Sequence, residues 1–295
     1  MRAAQPHLNA EELGLCLIIT PPTKEQSAIA SFLDRETLKI DALVAEQENL
    51  IALLKEKRQA VISHAVTKGL NPDALMKDSG VEWLGEVPEH WEVKQIRYFA
   101  DVLRGKFTHR PRNDPAFYDG EFPFIQTGDI TGSTKYVTEF KQTLNYRGAA
   151  VSKEFPQGTL VMAIAANIGD VAILDFPAYF PDSIVGLVPK FDGNLLFLFY
   201  LMQAMKQPML MTATISTQMN LNVDQIVSLS VASPPLSEQS AIVAFLDQAT
   251  TQLDTLIAEA QRAIDFLKER RSALISAAVT GKIDVRGLVP VETTP

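Results

Sequence analysis

Two stretches of the chain place apolar side chains seven residues apart. In the first, Leu33, Ile40, Gln47, Leu54 and Val61 form one row, with Leu43 and Leu50 between them. In the second, the row is Leu246, Leu253, Ala260, Leu267 and Leu274, joined by Leu256 and Ala263. A row repeating every seven residues makes one stripe along a helix, the pattern of a coiled-coil seam. No glycine or proline interrupts residues 23–68 or 236–280. Pro21-Pro22 and Pro234-Pro235 precede the two stretches, and Thr23, Glu25, Ser237 and Glu238 supply capping hydroxyls and early acidic groups. Gly69 and Gly281 stand where a helix should stop. The pattern predicts two long helices, each about 65 Å long at 1.5 Å per residue.

The two stretches are copies of each other. Residues 21–67 align with residues 234–280 at a constant offset of 213, and 26 of the 47 positions are identical. The likeness continues upstream, where Leu8-Asn9 matches Leu221-Asn222. Residues 1–22 therefore read as the tail of a preceding unit of the same kind. The expectation is a natural half-length product or a piece of a longer chain.

Between the copies the period changes. Residues 71–93 hold Gly80, Gly85 and Pro88 and read as a connector, with Trp83 and Trp91 pinning it to the neighbouring module. Residues 94–233 alternate short β-rich runs with turns: 122–126, 158–165, 169–174 and 183–188. Helices are expected at 195–206 and 222–229. The expected organisation is 1–22 tail, 23–70 first helix, 71–93 connector, 94–233 globular module, 234–284 second helix and 285–295 C-terminal tail. The fold class is α+β: a mixed α/β module flanked by two long coiled-coil-forming helices.

Composition narrows the function. No apolar run reaches the ~20 residues that would span a bilayer, and the first residues lack the apolar core of a signal peptide. Cys16 is the only cysteine, so no intrachain disulfide forms. A cytoplasmic protein without a membrane partner is expected. The net charge is −8, yet residues 94–153 carry ten Lys/Arg against six Asp/Glu. A basic segment inside an acidic chain points to a nucleic-acid face. Catalytic signatures are missing. The Pro-Pro pairs lack the Asn/Asp and aromatic neighbours of an amino-methyltransferase, and there is no phosphate-binding Gly-Lys-Ser/Thr loop. The four histidines have no metal-ligand spacing. Asp170, Asp175 and Asp182 read as turn residues.

Several segments together resemble one family. KDSGVEWLGEVPEHWEV at 77–93, IQTGDITG at 125–132, GTLVMAIAANIGDVAIL at 158–174, SIVGLVP at 183–189 and MNLNVDQIVSLSVASPPLSEQSAIVAFLD at 219–247 are similar to the specificity subunits of type I restriction-modification systems. The resemblance covers nearly the whole chain. It implies a non-catalytic subunit whose target recognition domain reads one half of a bipartite site in double-stranded DNA. It also implies spacer helices that pack antiparallel, fix the distance between half-sites and dock DNA methyltransferase subunits, with a restriction/translocase subunit joining the complex. No cofactor is expected in this chain; S-adenosylmethionine, ATP and Mg would act in partner subunits. This chain departs from the pattern in having both helices but one complete recognition domain, so a homodimer through the helices is expected, reading a palindrome with a spacer.

DNA contacts require cations for phosphates and forked donors, amides or hydroxyls for base edges. The candidates are the loop residues Arg104, Lys106, Thr108, His109, Arg110, Arg112 and Asn113. Gln126 and Thr127 follow a predicted strand, Asn167 lies beside a Gly-Asp turn, and Ser216, Thr217, Gln218 and Asn220 form a polar loop. Lys135, Lys141 and Arg147 are expected at most to touch phosphate. Two other readings fit the same helices: a coiled-coil scaffold whose middle module binds protein, and a silent half-gene product without activity of its own.

Overall fold

The structure, a computed structural model, describes residues 14–15, 18–190, 194–212 and 221–288. Two long helices stand out: α1, Thr23–Lys68, and the last helix, Leu236–Val279. Gly69, with φ of +77°, ends the first. The described residues form two compact units, one of those up to Lys55 and from Asp254 onward, the other of those within Glu56–Leu253.

In the first unit the two helices run antiparallel. Arg271 Nε donates to Asp41 Oδ1 at 2.9 Å, and Phe32 packs with Ala278 and Val285. The seven-residue rows lie at this contact: Ile40 and Ala260 are buried, and Leu33, Gln47, Leu54, Leu267 and Leu274 are half-buried. The flanking positions expected from the sequence do not. Leu43 and Leu50 are 45% and 42% exposed and Leu256 is 47% exposed, whereas Val44, Ile51, Ile257 and Ile264 take the covered places. Successive seam positions step by three and then four residues. The row of Ile40 is continued four residues on, at Val44, rather than three residues on, at Leu43. Both neighbours are apolar, so spacing alone left the phase open.

The second unit holds β1 (Met76–Asp78) paired with β2 (Glu86–Pro88), then β3 (Glu92–Gln95), β4 (Ala100–Arg104) and β5 (Tyr118–Pro123). There follow α2 (Thr127–Thr131), β6 (Tyr136–Val137), β7 (Thr143–Leu144), α3 (Tyr146–Ala150) and β8 (Glu154–Phe155). Next come β9 (Leu160–Ala163), β10 (Val171–Leu174), β11 (Ala178–Tyr179), β12 (Ile184–Pro189), α4 (Leu195–Ala204) and α5 (Lys206–Thr212). α6 (Val223–Ser228) and β13 (Ser230–Ser233) lead into α7, the last helix. The central sheet has the order β4-β12-β9-β10-β6, antiparallel except for β10 with β6.

Alternation along these strands divides the interior in two. Leu160, Met162, Val171, Ile173, Val185 and Leu187 face a larger core with α4 and α6. Val161, Ala172, Leu174 and Ile184 face a smaller one built on Ile125, Ile130, Phe155 and Phe180. The larger core also takes in Ile62, Ala65 and Val66 of α1 and Ile242, Val243 and Leu246 of α7, with Val61 packed against it. Val61 and Leu246, assigned from spacing to a helix–helix seam, thus serve the module core. The connector is pinned by its tryptophans. Trp91 is buried, its Nε1 donating to Glu238 at 2.9 Å, and Trp83 Nε1 donates to the Ser230 carbonyl at 3.1 Å. β3 pairs antiparallel with β13, so the start and end of the module are joined.

Deleting buried methyl groups loses transfer free energy and leaves a cavity, whereas trimming an exposed leucine does neither. Leu246→Ala is expected to lower the unfolding free energy by about 2–5 kcal/mol, and Leu256→Ala by about 0.5 kcal/mol or less, both measured by urea denaturation.

Candidate nucleic-acid interface

The basic loop leaves the central sheet at the end of β4. Gly105 N donates to the Ile184 carbonyl at 2.9 Å and Lys106 N to the Phe180 carbonyl at 3.0 Å. This approach is so close that a Cβ on residue 105 would lie 2.3 Å from the Pro181 carbonyl oxygen, so only glycine fits. The next residue, Phe107, is buried against Tyr118 and Phe124, with ring centroids 5.8 and 5.5 Å away. Thr108 N donates to the Val151 carbonyl at 3.1 Å. His109 stacks on Phe117 at 3.8 Å, and its Nε2 lies 3.1 Å from Asp114 Oδ2. The Ala116 backbone N–H, with His109 as a smaller contributor, holds the Asp114 carboxyl below its ordinary range. Arg110 Nη1 folds back onto the carbonyls of Phe107 and His109, each at 2.8 Å. The Tyr118 hydroxyl donates to the Arg112 carbonyl. The loop is therefore a fixed shape presented at the surface.

Its three arginines converge on one residue far along the chain, Asp182. Arg104 Nε donates to the Asp182 carbonyl at 2.7 Å. Arg112 Nη2 lies 2.6 and 2.7 Å from the two carboxylate oxygens of Asp182, and Arg110 Nη2 is 3.9 Å from Oδ2. Lys106 and Asn113 are exposed. Beside them lies an open cleft whose polar lining is Arg112, Asn113, Gln126, Gln142 and Ser183, with Phe107, Tyr118 and Phe124 among its apolar walls.

Gln126 comes from a different part of the sequence. It is the N-cap of α2 in a capping box with Asp129, and its Nε2 donates to Gln142 Oε1 at 2.9 Å. Thr127 begins that helix and is half-buried. The structure thus brings Arg112, Asn113 and Gln126 to one cleft, with Arg104, Lys106, Thr108, His109 and Arg110 on the loop that borders it.

Other candidates lie elsewhere. Lys135 Nζ pairs with Asp247 Oδ1 of α7 at 2.6 Å and lies 5.5 Å over the Tyr200 ring. Tyr200 OH also donates to Asp247. Burial pulls the Lys135 ammonium down, but the hydrogen bond to Asp247, together with Tyr200 and the Asp247 charge, more than offsets it, leaving its pKa above that of an ordinary lysine. Lys135 is accordingly a strut between the sheet and α7, and its charge is already spent there. Asn167 belongs to a separate chain of contacts: its Nδ2 donates to Thr131 Oγ1 at 2.8 Å, and Thr131 Oγ1 donates to Asp170 Oδ2 at 2.7 Å. Ser216, Thr217, Gln218 and Asn220 lie outside the described residues. Sequence reasoning missed Gln142 and Ser183, and it took Asp182 for a turn residue. Among the described residues no group of three or more His, Cys, Asp or Glu is placed to hold a metal ion. No helix among them is long and apolar enough to cross a membrane.

A mixed module with a rigid basic loop and a polar cleft, framed by duplicated helices, defines a class of recognition protein, and comparison with known proteins gives the family. Residues 88–264, more than half of the chain, match the type I restriction modification DNA specificity domain, and the chain belongs to that family. It is 22% identical over 298 residues to the MjaVIII specificity subunit of a type I restriction enzyme from Methanocaldococcus jannaschii, covering 96% of this chain and 66% of that protein. A chain in a solved structure concerned with complex assembly and conformational transition of the type I R-M system superposes with a TM-score of 0.74 at 17% identity, over 96% of this chain and 66% of the other. The HsdS subunit of Thermoanaerobacter tengcongensis gives a TM-score of 0.55 at 17% identity, over 96% and 65%. The chain thus spans just under two thirds of the length of these relatives.

Lys135→Ala is expected to lower the unfolding free energy by about 1–3 kcal/mol, read from denaturant melts.

Proposed function

We propose that the chain is a DNA-reading subunit in the cytoplasm, in which the module formed by residues 94–233 reads half of a bipartite target. The observation that carries this reading is the cleft between the basic loop and Gln126. It combines a forked cation with side-chain amides able both to donate and to accept, the groups that distinguish base edges in a major groove. Arg104, Lys106 and Arg110 around it would position the duplex through its phosphates.

The long helices would dock methyltransferase subunits and pair two copies. Two features support this. Leu43, Leu50 and Leu53 lie on one stripe of α1, and their equivalents at the offset of 213 are Leu256, Ala263 and Phe266 on α7. Five of these six are large apolar residues left exposed. The duplication has thus kept an apolar stripe on each helix beyond what the seam uses. The second feature lies where the helices begin. In the second repeat Val231 and Ala232 are buried, Glu238 holds Trp91, and Asp247 holds Lys135 and Tyr200. The first repeat retains the equivalent carboxylates Glu25 and Asp34, while Ile18 and Ile19, equivalent to Val231 and Ala232, are 83% and 67% exposed. This favours an assembly in which a second recognition module accompanies the first.

Binding of the full chain to a mixed-sequence duplex at several salt concentrations tests the reading. The logarithm of the affinity is expected to fall with the logarithm of salt with a slope of about −2.5 to −3, for the three cations Arg104, Lys106 and Arg110. Arg112→Ala should cost about 1–3 kcal/mol against the selected target. No binding at low salt, with the fold intact, would leave the scaffold reading in its place.

A further inference from the structure

Asp182 is not a loose surface carboxylate. Its main chain sits between β11 and β12 at the point where the loop presses closest: Pro181 is buried, Ile184 N donates to the Pro181 carbonyl at 3.1 Å, and the Asp182 carbonyl takes Arg104. The carboxylate is therefore delivered to a set place beside the cleft, 70 residues away in sequence from the arginine it meets. There it engages a single nitrogen of Arg112, with both oxygens on Nη2. Among the described residues Nη1 and Nε of Arg112 take no protein partner, and the Tyr118 hydroxyl fixes the Arg112 main chain.

We propose that Asp182 is a positioning residue that sets the sequence discrimination of the cleft, resting on the DNA-reading function above. It acts in two ways. Gripping the guanidinium by one corner fixes its plane and leaves donor positions turned outward for a base edge, since a planar fork discriminates only when its orientation is set. Its negative charge also cancels one cation of the loop, with Arg110 feeling it as well, so the loop pulls less on phosphate of any sequence. Binding then depends more on the match at the bases. An ordinary surface ion pair would do neither, because it contributes little and has no defined ligand beside it.

Asp182→Asn keeps the shape and removes the charge. Titrated with a mixed-sequence 30-bp duplex (a length chosen to exceed about one helical turn per module), the variant is expected to bind about three- to tenfold tighter at ~0.1 M salt. The salt slope should steepen by about 0.9, the value for one further phosphate neutralised. Selection from a random-sequence duplex pool should return a less restricted set of sequences with the variant. Asp182→Glu should restore the wild-type slope. In an Arg112→Ala background the same Asp182→Asn change should leave the selected sequences unmoved and steepen the slope by clearly less than about 0.9, because base reading runs through Arg112 and only the 3.9 Å pair with Arg110 remains to be released. Unchanged slope and selection in Asp182→Asn alone, or weaker binding to every sequence, would overturn the proposal. A wild-type chain that binds no duplex at any salt would instead overturn the DNA reading itself.

Discussion

The recognition module stands on the face of α7 formed by Ile242, Val243 and Leu246. These side chains belong to the same core as Phe197, Tyr200 and Leu201 of α4 and as the sheet residues Leu160, Met162 and Val185. The first part of a long helix is thereby part of the module's interior. Two carboxylates on that helix complete the junction: Glu238 takes the Trp91 indole, and Asp247 takes Lys135 and Tyr200. Trp91 and Tyr200 are buried, and polar groups so placed are costly to leave unpaired, so the module's placement on the helix segment is specific as well as stable. β3 paired with β13 closes the same junction from the other side.

On this platform the loop after β4 becomes a rigid presenting device. Gly105 permits the close crossing, Phe107 sinks into an aromatic cluster, and the stacking of His109 on Phe117 fixes the tip. Rigidity matters here because ordering a flexible loop on binding would cost conformational entropy in proportion to the residues fixed. A preformed loop can spend its contacts on the ligand. At its centre stands Asp182, whose carbonyl takes Arg104 and whose carboxylate takes Arg112, with Arg110 3.9 Å away.

Much of the fold was legible because it follows short periods. Helix extents could be read from Pro21-Pro22, Gly69 and the seven-residue rows, and the sheet strands from apolar runs such as 160–163 and 171–174 bounded by Gly158 and Gly169. The phase of the seam was not, since Leu43 and Val44 are both apolar and only the partner helix decides between them. Lys135 looked like a surface cation because Asp247, 112 positions away, is invisible to local reading. Asp182 and Gln142 were missed for the same reason: each acquires its role by meeting Arg112 or Gln126 across the fold. Local chemistry marked the loop 104–113, and tertiary contacts determined which of its groups point into a cleft and which are consumed holding the loop together.

The central claim is that the loop 104–113 and the cleft beside it form the DNA-contacting face. Amide hydrogen exchange of the full chain, followed with and without saturating duplex, addresses it without altering a residue. The account predicts slowed exchange in 104–113 and 124–127, with the buried strands 160–163 and 171–174 unchanged. Protection confined to α1 and α7, with the loop exchanging as freely as before, would contradict it.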